Sequence, residues 1–215
     1  MRVVGVDVGS RRVDAVALND DGRVLGARVF PVADLDALLG WADGAAAVCV
    51  DSPDRWSTAP HAGDLELAPK FRSARCGEIG LGRHFRIWVP WTTPVAPAPR
   101  TWMDVGVRLF AALRAAGHEP LEVYPHGAFR VLGGGLRPPS KQTVAGIEAR
   151  VRALEAAGVR CPALGMWGHD GLDAAVAALV ALHHLRGRAV PASCGHDGSA
   201  IWLPAASEGT AGTGR

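Results

Sequence analysis

Five acids sit where a carboxylate is costly or purposeful: Asp7, Asp51, Glu122, Asp170 and Asp173. Asp7 lies inside the apolar run Arg2–Gly9, RVVGVDVG. A strand this apolar is central, and a central strand seldom carries a carboxylate without a reason. Asp51 follows the continuous apolar run Ala45–Val50, at the strand tip where open α/β sheets place their ligands. Glu122 belongs to the short run Leu121–Pro125, and its side chain is expected on the same face as Tyr124. Asp170 and Asp173 are three apart, near one face of the first turn of a helix. Local roles exist for some of them. Asp7 could cap the turn at Gly9-Ser10, and acids at a helix start favour its dipole. Taken as a set, converging carboxylates repel one another, and burial raises that cost. A hard cation such as Mg²⁺ or Mn²⁺ resolves the conflict. Two such ions about 4 Å apart can activate a water and stabilise the leaving oxygen of a phosphodiester.

The elements that must position these acids are readable in outline. Arg2–Gly9 is the first strand. Val13–Leu18 is the second, and Asn19-Asp20-Asp21-Gly22 is a hairpin turn into a third strand over Val24–Phe30. Asp34 caps a short helix over Leu35, Leu38, Leu39 and Trp41, closed by Gly44. Ala45–Val50 then reads as a buried parallel strand. Asp104 caps a helix with Val105, Leu109, Ala112 and Leu113 at helical spacing, ended by Gly117. Leu121–Pro125 is a short buried strand stopped by Pro125. Lys141 opens a helix from about Gln142 to Ala157, and the segment from Gly168 to Asp173 starts the last one. Gly198–Leu203 is a short terminal strand or arm. The class is α/β. Three antiparallel strands followed by two parallel to the first are the layout of a ribonuclease-H-like mixed five-stranded sheet flanked by helices.

Between Asp54 and about residue 103 the pattern loosens into a Pro-rich insertion. Lys70, Arg72, Arg75, Arg83 and Arg86 make it basic, while Trp56, Trp88, Trp91 and Trp102 add aromatic surface. That mixture suits phosphate contact and base stacking, and a covering loop has the same composition. Of the four Cys, none forms a CxxC pair. A zinc set of Cys161, His169, Cys194 and His196 matches no common spacing, so reduced, unpaired thiols are expected. Residues 205–215 have the composition of a disordered tail, leaving 1–204 as one domain.

Bulk properties limit the remaining classes. The chain has 215 residues, 48% of them hydrophobic, which suits a single domain with a real core. A net charge of +2 gives no global pull toward nucleic acid or a membrane surface, so any such contact needs a local patch. Asp7 interrupts the first apolar run, which argues against a signal peptide. No run approaches the ~18 apolar residues of a spanning helix, and Leu172–Leu185 carries two His. A cytoplasmic location without membrane contact is the expectation. Monomer and homodimer both stay open, because no long exposed apolar stripe demands a second copy.

Several short motifs recur in one order: GVDVG at Gly5–Gly9, VDSP at Val50–Pro53, RSARCGE at Arg72–Glu78, EVYP at Glu122–Pro125, Lys141, HDGLDAAVAA at His169–Ala178 and IWLP at Ile201–Pro204. Together they resemble the bacterial and archaeal family called domain of unknown function 429, whose members are described as predicted ribonuclease-H-like nucleases. The resemblance spans Val3 to Pro204. It implies a metal-dependent nuclease using Mg²⁺ or Mn²⁺ on RNA or DNA. It makes Asp7, Asp51, Asp170 and Asp173 the metal-binding acids and puts Glu122 close enough to help. Arg75, Glu78 and Lys141 would line the site, touch phosphate or tune the acids, with Arg72 of the same motif beside them. His169 stands where the family more often has an acid; it suits a proton carrier or a capping-loop residue. Two other classes compete. One is an inactive ribonuclease-H-like module that binds nucleic acid or a partner, with its acids too far apart to share an ion. The other is a phosphotransferase of the actin–hexokinase type, suggested by Asp7-Val8-Gly9-Ser10, although such proteins need two domains around the nucleotide.

Overall fold

A computed structural model describes residues 1–205. The expected tail therefore lies, Ala205 apart, outside the described residues. The chain opens with β1 (Arg2–Val8), β2 (Arg12–Asn19) and β3 (Val24–Pro31), an antiparallel meander. Its hairpin turn forms as expected: Asn19 Oδ1 accepts from the backbone N–H groups of Asp21 and Arg23, and Gly22 takes the positive φ of 78°. Helix α1 (Leu35–Ala42) follows, with the Asp34 carboxylate accepting from the Ala37 N–H. Strand β4 (Ala47–Asp51) then lies parallel to β1.

Helix α2 (Cys76–Phe85) lies inside the Pro-rich insertion, where no helix was expected. Helix α3 (Trp102–Ala115) is capped by Thr101, whose hydroxyl accepts from the Asp104 N–H; Asp104 is in the first turn rather than at the cap. Strand β5 (Leu121–Val123) pairs parallel to β4. Pro125 does end β5, but it also opens α4 (Pro125–Leu132), since a proline at the first helical position loses no hydrogen bond. Helix α5 (Val144–Ala156) is capped by Thr143, and α6 (His169–Leu185) starts after Gly168 with no side-chain cap. Strands β6 (Ala189–Ala192) and β7 (Ile201–Pro204) complete the structure.

One mixed sheet runs in the order β3-β2-β1-β4-β5-β7-β6. The first five strands reproduce the expected ribonuclease-H-like order, but the sheet has seven strands, not five. The terminal arm joins β5 in parallel as β7, and β6 pairs antiparallel outside it. The segment over Ala189–Ala192 is too short and too polar in its flanks to show a period-2 pattern, so β6 was not legible in the sequence. Among the described residues all seven strands belong to one sheet.

The sheet separates two apolar layers. On one side Val4, Val6, Val48 and Val50 pack against Leu38 of α1 and Leu109, Phe110 and Leu113 of α3. On the other, Val3, Val16, Leu18 and Cys49 pack against α6 and α4. Every residue of α6 from Leu172 to His183 is buried. Its alanines let it approach β1 closely, and Gly5 completes the contact. A Cβ at Gly5 would lie 2.0 Å from the Ala178 backbone nitrogen and 2.2 Å from the Ala174 carbonyl oxygen. Only glycine fits there. Among the described residues no helix is long and apolar enough to cross a membrane.

Candidate metal centre

Strand alternation decides which acids meet. Gly5 faces α6, so Asp7, two residues on, faces the same side. Asp7 is the register partner of Asp51 on β4 and of Asp14 on β2. In a sheet, register partners present their side chains on one face. The start of α6 brings Asp170 and Asp173 over that face. Two carboxylate triads result, Asp7–Asp51–Asp173 and Asp7–Asp14–Asp170, and within each one oxygen from every acid lies within 4.8 Å of the other two. Asp7 belongs to both. The expected acids Asp7, Asp51, Asp170 and Asp173 are thus brought together, and Asp14 is an addition. It was readable in principle, because the short turn over Gly9–Arg11, closed by the Gly9 N–H donating to the Arg12 carbonyl, fixes the β1–β2 register that sets Asp14 opposite Asp7.

These acids sit at the floor of a cavity of about 1060 Å³. Their electrostatics are those of crowded like charges. Burial, then the charge of Asp173, pushes Asp7 up to about 7, with Lys141 opposing. Burial, then Asp7 and Asp173, pushes Asp51 well above the usual carboxylate range. Asp173 is raised by burial, against the pull of Lys141 and Arg150. Asp14 is raised by burial, partly offset by Arg12. Five all-oxygen donors suit a hard divalent cation such as Mg²⁺ or Mn²⁺, which would relieve each of these penalties.

Cations of the chain already touch three of the acids, Asp14 being 3.3 Å from Arg12 Nε. Lys141 Nζ donates to Asp173 Oδ2 at 2.6 Å, so Lys141 lines the site as expected. Arg12 donates to Asp170 Oδ2 at 2.6 Å. His169 Nδ1 lies 2.5 Å from Asp170 Oδ1 but without hydrogen-bond geometry. Arg150, missed in the sequence, is buried beside the centre. It spends Nη1 on the carbonyls of Pro139 and Gly146, while Nε, 3.9 Å from Asp173 Oδ1, has no hydrogen-bond partner. Trp91 and Trp102 of the insertion line the cavity, with ring centroids 5.0 Å apart, and Trp91 lies edge-on to Tyr124 at 6.1 Å. Burial pushes the Tyr124 hydroxyl up to about 12.

Glu122, Arg75 and Glu78 are not at this centre. Glu122 pairs in register with Val50, whose side chain faces α3, so it points away from the face that carries Asp7. Tyr124, beyond the end of β5, faces the cavity instead. Arg75 is fully buried and grips Glu122 with two bonds of 2.7 and 2.6 Å. It also donates to Asp54 at 3.1 Å and to Thr93 at 3.1 Å. Burial disfavours the guanidinium charge, but Glu122, Glu78 and Asp54 outweigh it and raise Arg75. Glu78 accepts from the backbone N–H groups of Arg75 and Thr93. The expected phosphate contacts of Arg75 and Glu78 are therefore replaced by a second, buried polar cluster that fastens the insertion to the sheet. Sequence reasoning could not separate the two clusters, because the motif that holds Arg75 and Glu78 names residues, not faces. Arg72 is half-buried, donates to the Leu67 carbonyl and is not part of the cavity wall.

The thiols also differ from expectation. Cys76 and Cys194 form a disulfide, and Cys49 and Cys161 are free. Cys161 and His169, weighed above as zinc ligands, do not join Cys194 and His196; His61 and Cys76 do.

No match was found among curated proteins. Among solved structures, the chain is similar to RuvC of Thermus thermophilus at 18% identity, over 87% of this chain and 97% of that one, with a TM-score of 0.44. It is similar to T. thermophilus RuvC in complex with a Holliday junction substrate at 17% identity, over 94% and 100%, again at 0.44. Residues 5–194, which include the acids of both triads, match the family described as "Protein of unknown function (DUF429)", and the chain belongs to that family.

Proposed function

We propose that this protein is a divalent-metal-dependent nuclease that hydrolyses phosphodiester bonds. The observation that supports this reading is the place of Asp7 in two carboxylate triads at once, since a shared carboxylate between two hard-cation sites is what two-ion phosphodiester hydrolysis requires. Asp7, Asp51 and Asp173 would hold one ion, and Asp7, Asp14 and Asp170 the other. Bound Mg²⁺ or Mn²⁺ would supply the activation of a water and the stabilisation of the leaving oxygen. The chain's own groups do the rest. Lys141, which pairs with Asp173 at the cavity, is placed to meet a phosphate oxygen. Trp91, Trp102 and Tyr124 offer faces and edges on which an unstacked base can rest.

A second reading is favoured by one feature. The ion pairs Lys141–Asp173 and Arg12–Asp170 neutralise two of the acids without a metal, as a binding module without catalysis would. Cleavage of a labelled panel separates the two: single strands, duplexes, an RNA–DNA hybrid and a four-way junction, each with Mg²⁺, Mn²⁺ or chelator. Metal-dependent cutting that is lost in Asp7→Asn and Asp51→Asn supports the nuclease. Binding without cutting, unchanged in both variants, supports the module.

A further inference from the structure

A second donor cluster lies apart from the acids. It joins three segments distant in sequence: His61 in the loop after β4, Cys76 at the start of α2, and Cys194 and His196 between β6 and β7. None of the four lines the acidic cavity. His61 is buried, with 4% exposure, and turns its Nε2 toward both sulfurs: 3.2 Å from Cys194 Sγ and 3.7 Å from Cys76 Sγ. The rings of His61 and His196 lie 5.6 Å apart at 41°, so both imidazoles border the sulfurs. One ligand atom from each residue falls within 4.8 Å of all the others. Around a tetrahedral zinc, with bonds of ~2.3 Å to sulfur and ~2.0 Å to nitrogen, donor atoms stand roughly 3.3–3.8 Å apart.

The surroundings suit thiolates. Cys76 sits at the N-terminus of α2, where the helix dipole favours a negative sulfur. Its sulfur accepts from the His196 backbone N–H at 3.2 Å. The connection between β6 and β7 is wrapped onto the same helix start: Asp197 accepts from the Cys76 N–H, and Ser199 Oγ accepts from the Gly77 N–H. A Cβ at Gly80 would lie 2.3 Å from the Ser193 backbone nitrogen, so the helix and the connection touch backbone to backbone. The donors are therefore held by packing that does not depend on the disulfide.

We propose that His61, Cys76, Cys194 and His196 form a structural Zn²⁺ site when the two cysteines are reduced, and that the Cys76–Cys194 disulfide is the oxidised form of the same staple. A dithiol reductant converts one form to the other. It attacks the S–S bond through a mixed disulfide, delivers two electrons and two protons, and leaves as its own cyclic disulfide. Zn²⁺ then replaces the two thiol protons, which pass to solvent, and neutral His61 and His196 complete the set. Either form pins the insertion to the far edge of the sheet, next to Arg75 and its grip on Glu122.

Cobalt tests this directly. The reduced full-length protein should take up one Co²⁺ with intense tetrahedral visible bands and a thiolate charge-transfer absorption. One equivalent of Zn²⁺ should bleach both. Cys161→Ser should keep the spectrum. Cys194→Ser should lose about half of the charge-transfer absorption and Cys76→Ser/Cys194→Ser all of it, and His196→Ala, a change at an exposed position, should weaken Zn²⁺ binding by more than the ~10–100-fold that loss of an outer partner costs. The acids cannot mimic this result, because oxygen ligands give only weak octahedral bands. A reduced protein with only those weak bands, or a thiolate band undiminished in Cys76→Ser/Cys194→Ser, would overturn the proposal.

Discussion

Asp7 on β1 and Asp51 on β4 are register partners of a parallel pair, so a buried and a half-buried carboxylate stand side by side on one face of the sheet. Asp14 flanks Asp7 from the other strand. Nothing in the packing requires this. The hydrophobic layers on both faces would be complete with apolar residues at all three positions. The arrangement costs stability unless a cation joins it, and that cost is the physical signature of a site built for one.

The cost is measurable. In the folded protein Asp7 is raised to about 7 from an ordinary value of 3.8, so between those limits the folded state binds more protons than the unfolded one. Stability of the metal-free protein should therefore fall as pH rises from about 4 to about 7. Asp7→Asn removes the share of this effect that Asp7 carries. In chelator at pH 8 the variant should be more stable than the parent by about 2–4 kcal/mol, and at pH 4 the two should be close. Denaturant melts across pH check this, and saturating Mg²⁺ should reverse the order at pH 8.

Gly5→Ala tests how α6 sets the site. The new Cβ meets backbone atoms of α6, which cannot rotate away. A destabilisation of about 3 kcal/mol is expected, at the upper end of overpacking costs. Because α6 carries Asp170 and Asp173, metal affinity should fall as well. A stable variant with unchanged metal binding would mean that α6 does not position the acids.

Arg75→Met should act on the fold and not on the metal. It strips the cation from buried Glu122 and Glu78, and breaking such a cluster costs about 3–5 kcal/mol. In the fraction that stays folded, metal affinity should match the parent. Urea denaturation alongside metal titration separates the two effects.

His183 offers an acid-sensitivity prediction away from the site. Burial, then Arg188 and Arg186, lowers it to about 4 from 6.5, and its Nδ1 has no hydrogen-bond partner. The unfolded state then binds more protons between those values, so stability is lost as pH falls from about 6.5 to about 4. The window carries roughly 3 kcal/mol. His183→Leu should flatten the pH dependence of denaturant melts over this range.

Much of the site was legible because its residues announce themselves by position. Asp7 breaks an apolar strand, Asp51 ends one, and Asp170 and Asp173 open a helix. The first five strands followed from period, run length and one strong turn. What escaped depends on three-dimensional register. Asp14 looks like any polar residue on a half-exposed strand until the hairpin places it opposite Asp7. Glu122 looks like a fourth acidic strand position, but its parity puts it on the other face, against Arg75. Helix α2 hides among prolines because three glycines erase its apolar stripe. Cys76 and Cys194 are 118 residues apart, a separation that no spacing rule covers.

The most direct test of the metal centre is a count of Mn²⁺ ions bound to the protein, read by electron paramagnetic resonance as free Mn²⁺ disappears. The parent should bind two Mn²⁺ ions, coupled to each other through the shared carboxylate of Asp7, and Asp7→Asn should lose both. Parent protein that leaves Mn²⁺ free, or binding that is equal in parent and Asp7→Asn, would contradict the account.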